Sequence, residues 1–303
     1  DLTAELVRRY YGLRLAARVH LVRQQVLQDL DEHERQAARM RQEGLIARAE
    51  ELHAAVARAE AERALAAAEA DVAIARTALA DLLGGGPVQP TSPLFVPAPV
   101  ESLEVFAAAA REHSPLLGQV AAQRRQAQQG LRAEQGQWLP EVYLFGQREL
   151  VPEDLTILDP KWAVGVGARL ALFDGFAREN RVRAARAQEQ RVAHLEQSAR
   201  DGVNTLVEKR WQELRKAREQ SVSLYTAREL AEEYLRVRRR AFQEGLATSL
   251  EVVDAELALA RVRVEQLAAA QAGDVALAEL LSACGQSDRF ESYRSRAGEE
   301  VEP

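Results

Sequence analysis

Residues 242–251 read Phe242-Gln243-Glu244-Gly245-Leu246-Ala247-Thr248-Ser249-Leu250-Glu251, and residues 41–50 read Arg41-Gln42-Glu43-Gly44-Leu45-Ile46-Ala47-Arg48-Ala49-Glu50. The shared Gln-Glu-Gly-Leu recurs at an offset of 201 positions. Sliding residues 1–84 onto 202–285 at that offset needs no gap; 20 of the 84 positions are identical, seven of them Ala. The other matches include Arg9/Arg210, Leu13/Leu214, Arg14/Arg215, Glu32/Glu233, Arg35/Arg236, Arg39/Arg240, Glu50/Glu251, Leu79/Leu280 and Gly84/Gly285. A repeat of this kind decides the architecture and is read before anything else. About 87 residues (115–201) stand in front of the second copy. If a whole unit is duplicated, the first copy lacks a similar N-terminal piece, and the natural precursor is expected to be longer. The opening Asp1-Leu2-Thr3-Ala4-Glu5-Leu6 reads as the middle of a helix, not as a signal peptide.

Outward from the two glycines, the pattern is helical. Residues 1–42 contain no Pro and one Gly. Residues 45–83 resume the helix after Gly44 and end at Gly84-Gly85-Gly86-Pro87. From Phe176 to about Gln243 a single helix is expected, roughly 100 Å long at 1.5 Å per residue. After Gly245 a heptad stripe runs through Leu246, Leu250, Val253, Leu257, Ala260, Val264 and Leu267. A second stripe, Val252, Ala255, Leu259 and Val262, lies beside it. Two adjacent seams predict a helix packed between neighbours on both sides.

Composition agrees. The 303 residues are 47% hydrophobic but only 5% aromatic, and Ala and Leu interleave with Arg, Glu and Gln, as in long helices and coiled coils. The net charge of -6 argues against a general nucleic-acid binder. The single cysteine, Cys284, excludes an internal disulfide and a cysteine zinc cluster. No run of 18 apolar residues exists, so no transmembrane helix is expected.

Between the repeats, Pro87, Pro90, Pro93, Pro97 and Pro99 mark an extended linker. A short helix is expected from Ser102 to His113, and another from Ser114-Pro115 to about Gln137. Residues 138–175 change character. Trp162, Val164, Val166, Ala168, Leu170 and Leu172 alternate with Ala163, Gly165, Gly167, Arg169 and Ala171, a period of two. Glu141–Gln147 is a second strand, and Pro152–Pro160 joins the two. Such a hairpin is not stable alone in water and needs partners from other sequence, other chains or lipid. The resulting division is 1–86, a first helical hairpin; 87–114, a linker; 115–285, the second repeat, with its β-hairpin at about 138–175; and 286–303, a polar tail.

In this order the elements resemble the TolC family of outer-membrane efflux proteins. Trp138-Leu139-Pro140 is similar to the Leu-Pro that opens a barrel strand there. Leu170-Ala171-Leu172-Phe173-Asp174-Gly175-Phe176 resembles the family's Pro-Leu-Phe-Asp-Gly-Gly, with Ala171 and Phe176 replacing the usual Pro and second Gly. Gln42-Glu43-Gly44-Leu45 and Gln243-Glu244-Gly245-Leu246 resemble its helix-tip motif, and Gly84 and Gly285 the glycines that end its returning helices.

The resemblance implies a mainly α fold in which long coiled-coil hairpins form an α-barrel and a β-hairpin contributes to a transmembrane β-barrel. It implies a homotrimer in the outer membrane of a Gram-negative bacterium, with a periplasmic extension. Its partners would be a periplasmic membrane-fusion adaptor, an inner-membrane transporter and outer-membrane lipid. The chain would be the exit duct of a tripartite efflux pump or type I secretion system. No cofactor and no nucleic acid are implied. This chain carries two strands where the family's protomer gives four, so the first pair is expected in the absent N-terminal segment.

The resemblance also assigns sites. Gly44, Leu45, Ile46 and Ala47, with Gly245, Leu246, Ala247 and Thr248, would dock the adaptor. Glu251 and Asp254, three apart on one helical face, would form acidic rings that narrow the tunnel and attract cations, joined by Glu50. Ala247 and Phe242 stand where some members carry a gating Arg and Tyr, so the lock here must differ or be weaker. Val164, Val166, Ala168, Leu170 and Leu172 would face lipid, and Gly165, Gly167 and Arg169 the lumen.

Nothing suggests catalysis. The five histidines, His20, His33, His53, His113 and His194, form no helical pair. There is no Gly-x-Ser-x-Gly frame and no phosphate loop. Arg236, Arg238, Arg239 and Arg240 lie among glutamates and read as an ion-paired face. The other class open to such a sequence is a soluble coiled-coil scaffold or adaptor.

Overall fold

Val22, Val26, Leu30, His33, Ala37 and Met40 follow one another at three- and four-residue steps, which puts all six on one side of a helix. They are the buried side of α1 (Leu2–Gln42). The computed structural model describes residues 2–148, 162–297 and 299–301. The elements that follow are α2 (Arg48–Leu82), β1 (Leu94–Val96), α3 (Leu103–His113), α4 (Pro115–Gly136), β2 (Glu141–Arg148), β3 (Trp162–Arg169), α5 (Ala177–Gln243), α6 (Ser249–Ala283), α7 (Phe290–Arg294) and β4 (Glu299–Val301). The chain divides into two compact units: Asp1–Ser114 with Val203–Pro303, and Pro115–Gly202. The second nearly coincides with the stretch preceding the second repeat copy.

In the first unit α2 turns Ala54, Ala57, Ala61 and Ala68 inward, small residues that let it lie close to α1. The most buried helix is α6. Val252, Ala255 and Leu259 of its second stripe are buried. Ala255 and Leu259 pack with Leu235 of α5. The first stripe is split: Val253, Ala260 and Leu267 are buried, while Leu246, Leu250 and Leu257 are exposed. Within one chain, therefore, only part of the expected double seam is filled.

The proline-rich linker holds more order than its composition suggests. Its Leu94–Val96 forms β1, paired antiparallel with β4 in the register Leu94↔Val301, Phe95↔Glu300, Val96↔Glu299. The segment expected as a polar tail thus supplies a strand, and α7 as well. Tyr11, Phe95 and Phe290 meet with ring centroids 6.0–6.2 Å apart. Trp211 Nε1 donates to the Glu101 carbonyl, and the Tyr293 hydroxyl to the Glu101 carboxylate at 2.6 Å. These ties use two aromatics remote in sequence from the linker, so no local pattern announces them.

In the second unit β2 and β3 pair from Glu141↔Arg169 to Arg148↔Trp162. The joining loop expected at Pro152–Pro160 lies outside the described residues. Strand β3 ends at Arg169, so Leu170 and Leu172 do not continue the ladder as their alternation predicts. The next partner would be Pro140, which has no N–H to give. Cross-strand rings explain the strand glycines: a Cβ on Gly165 would stand 2.7 Å from the Phe145 ring, and one on Gly167 2.6 Å from the Tyr143 ring. At the base of the hairpin Arg178 is buried. It donates from Nε to Asp174 at 3.1 Å and from Nη2 to the Ala171 carbonyl at 2.5 Å, and it stacks 4.8 Å from the Trp138 ring.

Candidate functional site

The two helix tips are built alike. At the first, Gly44 N–H donates to the Arg41 carbonyl at 2.9 Å and Leu45 N–H to that of Met40 at 2.8 Å. At the second, Gly245 N–H donates to the Phe242 carbonyl at 3.0 Å and Leu246 N–H to that of Ala241 at 2.8 Å. This double closure satisfies the last orphan carbonyls of a helix and requires a left-handed residue at its centre. Gly44 has φ 77° and Gly245 φ 75°, where a side chain would be strained. The recurring Gln-Glu-Gly-Leu is thus a helix stop. Leu45 and Leu246 then stand exposed, whereas Ile46 and Ala247 turn inward onto a cluster of Ala37, Met40, Ala54, Phe242 and Val252.

The restarts differ, because position 47 is Ala where its repeat mate is Thr248. Thr248 caps α6: its hydroxyl accepts from Glu251 N–H at 3.3 Å, and the Glu251 carboxylate accepts from Thr248 N–H at 2.8 Å. The Thr-x-x-Glu spacing is a capping box, a signal legible in the sequence but missed there. Ala47 offers no side-chain cap. Glu50, the repeat mate of Glu251, reaches across instead and accepts from Ser249 N–H at 2.7 Å. A carboxylate at the first turn of α6 also meets the positive end of that helix. The Ser249 hydroxyl, fully buried, is 2.8 Å from His33 Nε2, and the His33 ring lies 4.7 Å from that of Phe242. So Glu50, Ser249, His33 and Phe242 tie one tip to the other.

Charge surrounds this knot. Glu251 pairs with Arg238 at 2.9 Å; its acidity is raised first by the Thr248 N–H, then by Arg238. Arg239 bridges Asp29 of α1 at 3.0 Å and the buried Glu256 of α6. Burial pushes the Glu256 carboxyl up despite that arginine. Burial also drives His33 down to about 4, with Arg239 and His53 adding to the effect, so the ring is neutral at neutral pH. The basic cluster is paired throughout, with Arg236 on Glu233 and Arg240 on Glu244. Among the described residues Asp254 is exposed and holds no hydrogen bond or ion pair, unlike Glu50 and Glu251.

The hairpin gathers Val164, Val166 and Ala168 with Val142 and Leu144 of β2 on one face. Four are strongly exposed: Val142 68%, Leu144 76%, Val164 65% and Val166 71%. The opposite face carries Tyr143, Phe145, Gly165, Gly167 and Arg169, with the Arg169 guanidinium 5.6 Å from the Tyr143 ring. Sequence reading found the apolar side of β3 but not its partners on β2, whose alternation is masked by aromatics on both sides of Leu144. Among the described residues no helix is long and apolar enough to cross a membrane, and no group of three His, Cys, Asp or Glu could hold a metal.

Residues 107–286 match the family model described as outer membrane efflux protein. Protein CyaE of Bordetella pertussis is 30% identical over 239 residues, 72% of this chain and 48% of that protein. The chain thus spans about half the length of the curated relative it matches. Among solved structures, a membrane protein from Pseudomonas aeruginosa superposes with a TM-score of 0.81 at 17% identity, covering 94% of this chain and 68% of that one. The outer membrane protein VceC of Vibrio cholerae gives 0.80 at 18%, covering 94% and 69%. The MtrE outer membrane channel of Neisseria gonorrhoeae, in its open state, gives 0.75 at 20%, covering 94% and 66%.

Proposed function

Since this chain belongs to the outer membrane efflux protein family, we propose that it forms part of the wall of a trimeric exit duct, through which substrates leave across the outer membrane. One observation carries the reading: the hairpin turns a contiguous apolar face outward on both strands. Water does not stabilise such a face, and its strand edges lack partners. A barrel closed with the protomer's other strand pair and the strands of other copies satisfies both in lipid. Val164, Val166 and Ala168 then face lipid, joined by Val142 and Leu144.

The helical unit supports a ring of copies. Leu250 and Leu257 continue the α6 seam but stay about half exposed among the described residues. A neighbouring protomer covers them. The tips are the periplasmic mouth: Gly44, Leu45, Ile46 and Ala47, with Gly245, Leu246, Ala247 and Thr248, receive the adaptor, which links the duct to an inner-membrane transporter. Leu45 and Leu246 are its apolar anchors. The mouth is latched by Glu50 on Ser249 and by Arg239 on Asp29 and Glu256. Phe242 contributes packing where a hydrogen-bonding residue would otherwise lock. Glu251 serves α6 and Arg238, which leaves Asp254 as the carboxylate able to form a three-fold ring that draws cations.

Single-channel recording in a planar bilayer, on a protein that carries this chain together with the other strand pair of the protomer, tests this reading. The duct predicts discrete conductance steps, and Asp254→Asn lowers the block by divalent cations while Glu251→Gln changes it little. A protein that leaves the bilayer silent, and stays water-soluble without detergent, contradicts the duct.

A further inference from the structure

Asp274 lies on α6, far from the tips, in the same unit as the β1–β4 pair. It is 0% exposed, and neither carboxyl oxygen has a hydrogen-bond partner. The preceding Gly273 lets α6 come against the strap: a Cβ there would meet Pro97 at 3.3 Å and Ala217 at 3.6 Å. Tyr11 of α1, itself 2% exposed, lies close enough that a charge on Asp274 would hold its hydroxyl proton more tightly. From β1 the Phe95 backbone N–H favours the charged form without making a hydrogen bond to either oxygen.

Charged groups on the neighbouring elements have other partners: Arg14 of α1 donates to the Pro90 carbonyl at 3.4 Å. Arg210 of α5 pairs at 2.9 Å with Glu279, which also takes Arg8 of α1. Arg294 and Glu291 of α7 pair with each other, and both act on Tyr11. Among the described residues no cation compensates Asp274. An ionised carboxylate buried without a partner is expensive, and the group stays protonated instead.

We propose that Asp274 is a neutral acid under the β1–β4 strap and that its ionisation as pH rises loosens the strap from α6. The sign follows from linkage. Burial raises this acid above its ordinary value of 3.8, so the folded chain holds a proton that the unfolded chain has released. The stabilisation is complete below that ordinary value and is lost as pH rises toward the folded one. The inference does not rest on the export reading, because it concerns the strap alone.

Two measurements on the full chain test it. Infrared spectra near neutral pH should contain the carbonyl stretch of a protonated carboxylic acid, absent in Asp274→Asn and retained in Glu256→Gln. No such band, or one that Asp274→Asn leaves intact, overturns the proposal. Hydrogen exchange at Leu94–Val96, corrected for intrinsic rates, should quicken by about tenfold or more between about pH 5 and about pH 8, and stay flat in Asp274→Asn. A flat profile in the unmodified chain overturns the proposal even if the variant fails to fold. A variant less protected than the unmodified chain at the higher pH does so too.

Discussion

Glu50 and Glu251 hold the same place in the two repeats and end in different roles, because one neighbour differs. Thr248 gives Glu251 a local cap to complete; Ala47 gives Glu50 none, and its carboxylate crosses to the other repeat. Thr248→Ala should destabilise the chain by ~1 kcal/mol, read in thermal or urea unfolding. Glu50→Gln should leave global stability nearly unchanged but speed exchange of the Ser249 amide, since a neutral amide accepts more weakly than a carboxylate. Unchanged exchange there would remove Glu50 from the latch. His33 supplies a pH dependence of opposite direction to Asp274. Its folded value of about 4 lies below the ordinary 6.5, so the stabilisation is whole above 6.5 and is lost as pH falls toward 4, by up to ~3 kcal/mol. His33→Phe should flatten that limb of a stability-against-pH curve; a slope that persists assigns it to other groups.

At the scale of elements, the sequence made the helices and their stops legible because both rest on local chemistry. Gly44, Gly84, Gly245 and Gly285 all adopt positive φ, and each ends a helix. What stayed hidden depends on partners remote in sequence. Leu94–Val96 looks like linker until residues 299–301 pair with it. His33 looks like one more scattered histidine until Ser249, 216 positions away, meets its ring. Alternation alone also overran β3, since Leu170 and Leu172 keep the period after Pro140 has ended the ladder. The strand glycines yield an element-scale prediction. Gly165→Val or Gly167→Val should displace Phe145 or Tyr143 and unpair the hairpin, whereas Ala163→Val should be tolerated. Circular dichroism in detergent, or protease sensitivity near the strands, distinguishes them; equal tolerance would mean the rings do not require glycine beneath them.

For the whole molecule, family membership rests on residues 107–286 and the fold on close superposition, at low identity, with the outer membrane protein VceC and the MtrE outer membrane channel. The split stripe on α6 carries the argument for assembly. Val252, Ala255 and Leu259 fill a seam within the chain, while Leu250 and Leu257 stay about half exposed; on the trimeric reading a neighbouring copy covers them. Covering the exposed half of each of these leucines contributes roughly 1 kcal/mol. Leu250→Glu with Leu257→Glu should therefore weaken association without unfolding α6. The central claim is tested most directly by multi-angle light scattering of the purified chain in detergent, with this double variant alongside. Three copies in the unmodified particle, reduced toward one in the variant, is the predicted result. A monodisperse monomer or dimer that needs no detergent and ignores the variant would contradict it.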